Sequence, residues 1–389
     1  MYKNYSKKIS IIGGAGHIGF PLGLAFANKK YLVNLVDINE YNLNKIKKGD
    51  SPFYEIGAKK ILSNCLKDKS LLFSKNLSSI KDSKYIIICI GTPIDKNLKP
   101  LTKQFFNFFK KIIKFLNKGQ IIIIRSSIYP GIINKIYKIC KKRNQNISYC
   151  PERIVQSKAL QELPSLPQIV SGFNNKAITE STNLFKKICN KIILADIKEA
   201  ELIKLFSNAN RYINFAIANQ LFLMCEKYGV QFDRVRNYMQ FGYERNLNLP
   251  KSGFTGGPCL LKDTMQLSSF YKGKFDLGLA AMEVNKEMIK FVLDKVNKIV
   301  NSKKKTIGVL GVAFKAETDD IRDSLSIELV QKLKEKKFKV IYSDVYYKDE
   351  RSVDTKYLMK KSDIIIIGAP HKQYKEIIFP KNKYLINIW

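Results

Sequence analysis

The stretch "KISIIGGAGHIGFPLGLAFA", residues 8–27, constrains this chain more than any other part of it. An apolar run leads into glycines at 14, 16 and 19, and an apolar helical pattern follows without a break. That order suits a strand that turns sharply into a helix. Gly14 reads as the tight turn, Gly16 as the point where backbone meets a ligand, and Gly19 as the place of close helix packing. A second run, "YLVNLVD", ends at Asp37, eighteen residues beyond Gly19. Strand, glycine turn, helix and terminal acid together predict a dinucleotide whose pyrophosphate rests on the helix N-terminus. Asp37 is placed to accept from an adenosine ribose, and its charge would repel a 2′-phosphate, which favours NAD over NADP. His17 and Ile18 belong to the same cofactor loop, His17 as a packing or phosphate-side residue. The competing reading is a structural glycine turn.

Beyond the loop, "YIIICI", "QIIIIRS" and "NISYC" read as further strands separated by helical stretches. Alternation of this kind predicts a Rossmann-type, doubly wound parallel sheet with helices on both faces over residues 1–190. Residues 191–300 form a central all-helical region, dominated by one long helix from Asp196 to Gly229 with a capping-box start at Asp196 and Glu199. So long and apolar a helix must bury itself against other helices or a second subunit, which makes this the expected dimerisation region. "KTIGVLG", "SIELVQKLKEKK", "KVIYSDV", "DIIIIGAP" and "KYLINIW" then give a smaller Rossmann-like α/β domain over 301–389, with "NSKKK" as its hinge. The chain stops at Trp389 soon after the last strand, which reads as a shortened final element.

Composition narrows the function. With 389 residues, 45% of them hydrophobic, two or three packed domains are expected. Seven scattered cysteines without a C-x-x-C pair, and only two histidines, argue for a reducing cytoplasmic setting and no metal site. The basic and apolar N-terminus imitates a secretory signal, but five glycines interrupt it and it runs on into a strand; no other apolar run is long enough to span a membrane. A net charge of +35 raises nucleic-acid binding as a rival function. The lysines are spread along the whole chain rather than gathered in a stripe, so a solvated basic surface is preferred.

"GFTGGPCLLKDT", residues 253–264, supplies the candidate nucleophile. A lone cysteine is commonly a small buried hydrophobe. Cys259, however, follows Gly256, Gly257 and Pro258, residues suited to a loop whose backbone approaches a ligand. Lys262 would help hold a thiolate, and Asp263 could position water. A cysteine near a nicotinamide has a chemical logic: an aldehyde captured as a thiohemiacetal loses hydride readily and gives a thioester that water cleaves. Alcohol-to-acid oxidation with two NAD follows.

With "IGTPID", "RSSIYPG", "CPERIVQSKALQELPSLPQIVSG", "AELIKLFSNANR" and "GVAFKAETDDIRDS" added to these two loops, the sequence resembles the UDP-glucose/GDP-mannose dehydrogenase family, nucleotide-sugar 6-dehydrogenases, over nearly its whole length. The resemblance implies Cys259 as nucleophile, Asp263 as water-positioning acid, and Lys204 and Asn208 as the pair that steadies an oxyanion. It further implies Glu152 in thioester hydrolysis, Thr92 and Ser127 at the nicotinamide, and Lys315 and Arg322 on the nucleotide diphosphate. Arg245 matches an arginine that reaches a neighbouring subunit's site, while Phe254 and Gly256 fall on the substrate loop. Each has a plainer competitor: Lys204 and Asn208 as a solvated helix face, Glu152 as a turn cap, Lys315 and Arg322 as partners of Asp319 and Asp320. "RSSIYPGI" departs from the common family wording, which carries a threonine near Ser127 or Ile132. The loops "GGAGH" and "GPCLLKD" resemble members acting on UDP-N-acetylhexosamines, UDP-N-acetylmannosamine first, with UDP-glucose and UDP-N-acetylglucosamine as alternatives. The expected product serves surface-polysaccharide synthesis, and the expected assembly is a homodimer. A hydroxyacid- or phosphogluconate-type dehydrogenase is the remaining enzymatic rival.

Overall fold

The structure, a computed structural model, describes residues 7–95, 97–141, 145–300 and 305–389. Most of the hinge read at "NSKKK", residues 301–304, lies outside the described residues. The chain divides into two compact units, Met1–Phe206 and Ser207–Trp389.

The first unit begins with β1 (Lys8–Ile12), α1 (Gly19–Asn28), β2 (Leu32–Val36), α2 (Glu40–Lys47), α3 (Ala58–Lys67) and β3 (Leu71–Ser74). There follow β4 (Tyr85–Ile88), α4 (Thr102–Ile112), β5 (Ile121–Ile124), α5 (Ile132–Lys141) and β6 (Asn146–Tyr149). The short α6 (Ala159–Glu162), then β7 (Gln168–Gly172), α7 (Asn175–Phe185) and β8 (Ile192–Leu194) complete it before α8 (Ile197–Tyr228), a 32-residue helix that contains the division point. The strands form one sheet in the order β3-β2-β1-β4-β5-β6-β7-β8. Its strands pair parallel except at β6 and β7, which run antiparallel, so the purely parallel sheet expected from the alternation is interrupted there.

The isoleucine runs explain why this sheet lies between two layers. Side chains alternate faces along a strand, so an unbroken apolar strand is buried on both. Ile87, Ile121 and Ile123 join one core with Phe20, Leu24 and Leu62 of α1 and α3. Ile86, Ile88, Ile122 and Ile124 join another with Phe105 and Phe109 of α4 and Ile133 and Ile136 of α5. Each such fully buried isoleucine contributes about 1.5–3 kcal/mol. Their registration places the C-terminal ends of β1 and β4 side by side, where the strand order reverses.

The second unit holds α9 (Phe232–Gln240), α10 (Leu260–Phe270), α11 (Asp276–Ile299), β9 (Thr306–Leu310), α12 (Leu325–Glu335), β10 (Lys339–Ser343), α13 (Thr355–Lys361), β11 (Ile364–Ile367) and β12 (Tyr384–Ile386). Its four strands pair parallel in the order β10-β9-β11-β12. Phe222 of α8, Val292 and Val296 of α11, and Leu329 and Leu333 of α12 pack with Ile307, Val309 and Ile366 of the sheet into a common core.

Asp344, just past β10, fastens this sheet. Its Oδ2 accepts from the Val312 and Ala313 amides at 2.7 and 3.1 Å, and its Oδ1 from Tyr346 and Tyr347 at 2.8 and 3.1 Å. His371 Nδ1 accepts from the Glu317 amide at 2.9 Å, so Nε2 bears the proton and donates to Asp344 Oδ2 at 3.1 Å. Burial opposes charge on Asp344, but His371 and the backbone N–H groups outweigh it and hold the carboxyl below its usual value of 3.8. A depressed carboxyl stabilises the fold above its unfolded value and loses that contribution as pH falls through the folded one. Asp344→Asn is therefore expected to cost about 2–4 kcal/mol near neutrality. The gap to the parent, measured by urea unfolding, should shrink as pH drops below about 4; a gap independent of pH would refute the charge's role.

Candidate active site

In the first unit the cofactor loop is shaped by Gly13 as well as the three spaced glycines. Gly13, not Gly14, has the left-handed backbone (φ +80°), and a Cβ there would lie 2.6 Å from the Cys89 carbonyl oxygen. Gly14 is needed for packing instead, since its Cβ would meet Leu35 Cα at 2.8 Å. Gly19 packs as read, with a Cβ that would fall 2.1 Å from the Gly13 oxygen. At Gly16 the nearest such contact is 3.4 Å, which leaves that side of the loop open. Ile18, the cap residue of α1, offers no side-chain acceptor, and the first turn carries no acid. A helix start of that kind favours an anion.

Asp37 Oδ2 accepts from the Ala15 amide and Oδ1 from the Asn39 amide, both at 2.9 Å. The carboxylate thus holds the loop while staying part-exposed, with lone pairs left for ribose hydroxyls. His17 bonds Gln156 at 2.9 Å and lies 3.9 Å from the Phe53 ring, the packing role read for it. Loop, helix start and acid fit an NAD.

Past the ends of β4 and β5, the Thr92 hydroxyl donates to the Ser127 carbonyl. Lys204 and Glu152 are buried, which removes the solvated-face reading for Lys204. Lys204 Nζ donates to Glu152 Oε1 at 3.2 Å, and Glu152 Oε2 accepts from the Ile154 amide at 2.8 Å. The turn-capping reading of Glu152 therefore holds alongside a bond to a buried cation.

In the second unit Cys259 is the cap residue of α10 and the one exposed cysteine of the seven. Burial pushes the Cys89, Cys140 and Cys150 thiols up to about 12 and raises Cys65 and Cys189 as well. Those thiols are inert at neutral pH. Asp263, one turn beyond Cys259, is fully buried and accepts from Asn208 Nδ2 and from Lys262 Nζ, each at 2.6 Å. Lys262, read as a thiolate holder, thus has its ammonium on Asp263.

Arg322 is a cation whose pKa responds to charge on the sulfur. Its pKa is raised first by its hydrogen bonds to Asp320, at 2.6–3.0 Å, and further by charge on Cys259. The attraction is mutual, so the guanidinium favours a thiolate. Its pairing with Asp320, the plainer competitor read from sequence, is present.

The glycines beside Cys259 also pack closely against protein. A Cβ at Gly256 would meet the Asp323 carbonyl oxygen at 2.6 Å, and one at Gly257 (φ +96°) the Phe314 ring at 2.4 Å. They admit the loop that carries Arg322. Phe254, assigned to substrate, is buried in the core. Lys315 Nζ stands 5.7 Å from the Phe314 ring centroid. Arg245 lies in an exposed turn over the Tyr243 ring.

Sequence reading passed over Asn219, whose Oδ1 accepts from the Gly253 amide at 2.8 Å and whose Nδ2 donates to Asn285 at 2.8 Å. An asparagine inside the apolar run "INFAIANQLFL" was the available sign.

Three family models match the chain: the NAD binding domain of the UDP-glucose/GDP-mannose dehydrogenase family over residues 7–193, its central domain over 198–287 and its UDP binding domain over 308–387. The UDP-N-acetyl-D-mannosamine dehydrogenase of Methanococcus maripaludis is 30% identical over 96% of this chain and 88% of that protein. The solved UDP-D-ManNAc dehydrogenase of Pyrococcus horikoshii is 25% identical, with a TM-score of 0.89 over 98% of this chain and 94% of that one. UDP-N-acetyl-mannosamine dehydrogenase Cap5O of Staphylococcus aureus, at 23% identity and a TM-score of 0.87 over 98% of this chain and 94% of that one, shares the fold.

Alkylation of the native protein by iodoacetamide should modify Cys259 first. Cys259→Ser should abolish that reaction, and Arg322→Gln should slow it several-fold at pH 7. Rapid labelling that survives the serine change would overturn the assignment.

Proposed function

The chain belongs to the UDP-glucose/GDP-mannose dehydrogenase family, and from that premise we propose that it oxidises the C6 alcohol of UDP-N-acetyl-D-mannosamine to the carboxylate. It is an NAD-dependent nucleotide-sugar dehydrogenase. The substrate named is that of the relatives above; UDP-glucose is the alternative within the family.

NAD, when bound, supplies the hydride acceptor for both oxidations. Gly14, Gly16, Gly19 and Asp37 would hold it, with His17, Ile18, Thr92 and Ser127 completing its surroundings. The chain's own part is covalent and electrostatic. The Cys259 thiolate adds to the carbonyl carbon of the aldehyde, forming a thiohemiacetal and later a thioester. Lys204, as a buried cation, and Asn208, as an amide donor, are given the oxyanion that develops on that carbon's oxygen. Glu152 and Asp263 are given the water that cleaves the thioester, and Thr92 is given a part in the same step. Lys315 and Arg322 are given the diphosphate, and Gly256 and Phe254 shape the loop beneath it.

The observation that carries the reading is the exposed Cys259 at a helix start, with Arg322 favouring its charge. A two-electron dehydrogenase of the hydroxyacid kind needs no such thiol. Exposed Tyr238, Phe241, Tyr243 and Leu247 around Arg245 support a homodimer in which that arginine serves a neighbour's site. We assign residues 1–190 to NAD, 191–300 to dimerisation and the cysteine loop, and 301–389 to the nucleotide. A cytoplasmic role ahead of surface-polysaccharide assembly agrees with cysteines that are scattered along the chain without disulfides.

The test is a panel of nucleotide sugars with NAD, followed by absorbance to its endpoint. UDP-N-acetyl-D-mannosamine should react best and yield two NADH per sugar, and Cys259→Ser should not complete the four-electron reaction. A serine variant that still forms two NADH per sugar would sink the mechanism; a different preferred sugar would sink only the substrate.

A further inference from the structure

Glu201 lies on α8 one turn before Lys204, is 2% exposed, and has no role in the chemistry above. Its carboxylate is wholly engaged with backbone. Oε2 accepts from the Gly131 amide at 2.9 Å and Oε1 from the Ile133 amide at 3.3 Å. These N–H groups belong to the start of α5, where a helix leaves its donors without internal partners. Burial pushes the carboxyl's pKa up, while the two N–H groups pull it back. A buried acid is costly to place, and an apolar side chain would fill the same space without that cost.

What the clamp joins gives it a purpose. The segment leading into α5 runs from the end of β5 through Ser126 and Ser127 to Gly131, and Ser127 takes the Thr92 hydroxyl on its carbonyl. On the other side, the next turn of α8 presents Lys204 to Glu152. One carboxylate therefore ties the loop assigned to the nicotinamide to the helix assigned to the oxyanion. All of these residues lie in the first unit.

We propose that Glu201 is a positioning residue for hydride transfer: by holding the start of α5 against α8 it fixes the Lys204 ammonium relative to the Thr92–Ser127 loop. This rests on the roles given above to Lys204 and Thr92. Displacements of about 1 Å at a reacting centre lower rates by up to about 100-fold.

The experiment compares Glu201→Gln, which keeps one acceptor oxygen but turns an NH₂ toward an N–H, with Glu201→Asp, which keeps the charge and shortens the reach. The parent and Lys204→Met are measured beside them, with folded enzyme counted by Cys259 titration. Per folded molecule, both Glu201 variants should lose on the order of 10- to 100-fold in kcat. KM for the nucleotide sugar should stay within about twofold, and deuterium at C6 should slow them more than the parent. A purely structural clamp would lower the folded fraction and leave kcat per molecule and the isotope effect unchanged, which overturns the proposal. If Lys204→Met abolishes turnover while the Glu201 variants match the parent, only this inference fails. If Lys204→Met retains full turnover, the reading of the site beneath it fails instead.

Discussion

In each sheet the glycine turn after the first strand hangs on a carboxylate placed just after the second strand. In the first sheet Asp37 holds the glycine turn through the Ala15 amide, and in the second Asp344 holds the corresponding turn through Val312 and Ala313. The turns match in backbone: Gly13 has φ +80° and Gly311 +82°, each bonding back to the end of its second strand. The two acids differ in what is left over. Asp37 has two backbone donors and remains part-exposed, so it can still accept from a ribose. Asp344 has four backbone donors and His371, and is sealed. One device thus leaves an acceptor part-exposed in the first sheet and makes a sealed structural pin in the second, and burial decides between them.

The same physics sorts the cysteines. Six thiols are packed beneath helices and strands or half-buried, and burial raises five of them beyond use at neutral pH. Cys259 escapes because the residues before it can enter where a side chain cannot: Gly256 and Gly257 lie against Asp323 and Phe314 and bring up the segment that carries Arg322. The glycines' contribution to the nucleophile is therefore indirect. They seat the loop that carries a guanidinium whose pKa responds to charge on the sulfur.

Much of this was legible in the chain. Runs of β-branched residues and the spacing of three glycines predicted β1, α1 and Asp37, because strand and helix periods are local and a turn of that kind tolerates few side chains. The length of α8 and the strands of the smaller sheet were readable for the same reason. Long-range facts were not. Nothing local in "PQIVSG" shows that β7 pairs antiparallel with β6, since a strand's direction depends on the connection that delivers it. Nor does "GGPC" reveal that its glycines also pack against Asp323 and Phe314. Lys204 was identified by resemblance and Asp263 by its loop as well; their burial, which turns an ordinary lysine and aspartate into a held cation and a fixed acceptor, exists only in the fold.

Net charge pointed outward while the organisation lies inward. Of 68 lysines and arginines, the buried ones among the described residues are Arg125 and Lys204. The 33 acids are fewer, yet Glu55, Glu152, Glu201, Asp263, Asp320 and Asp344 are all buried. Each accepts from a backbone amide or a polar side chain, those of Glu152, Glu201, Asp320 and Asp344 from loops or helix starts and that of Asp263 from side chains of α8 and α10. A carboxylate can take several N–H donors at once, whereas an ammonium can only donate and competes for the same carbonyls that helices and strands already use. Loops have unpaired N–H groups in plenty, so acids are the side chains suited to pin them from within. The excess of lysine can accordingly drift over the surface with little effect on the fold, while the scarce interior acids pin the segments they accept from.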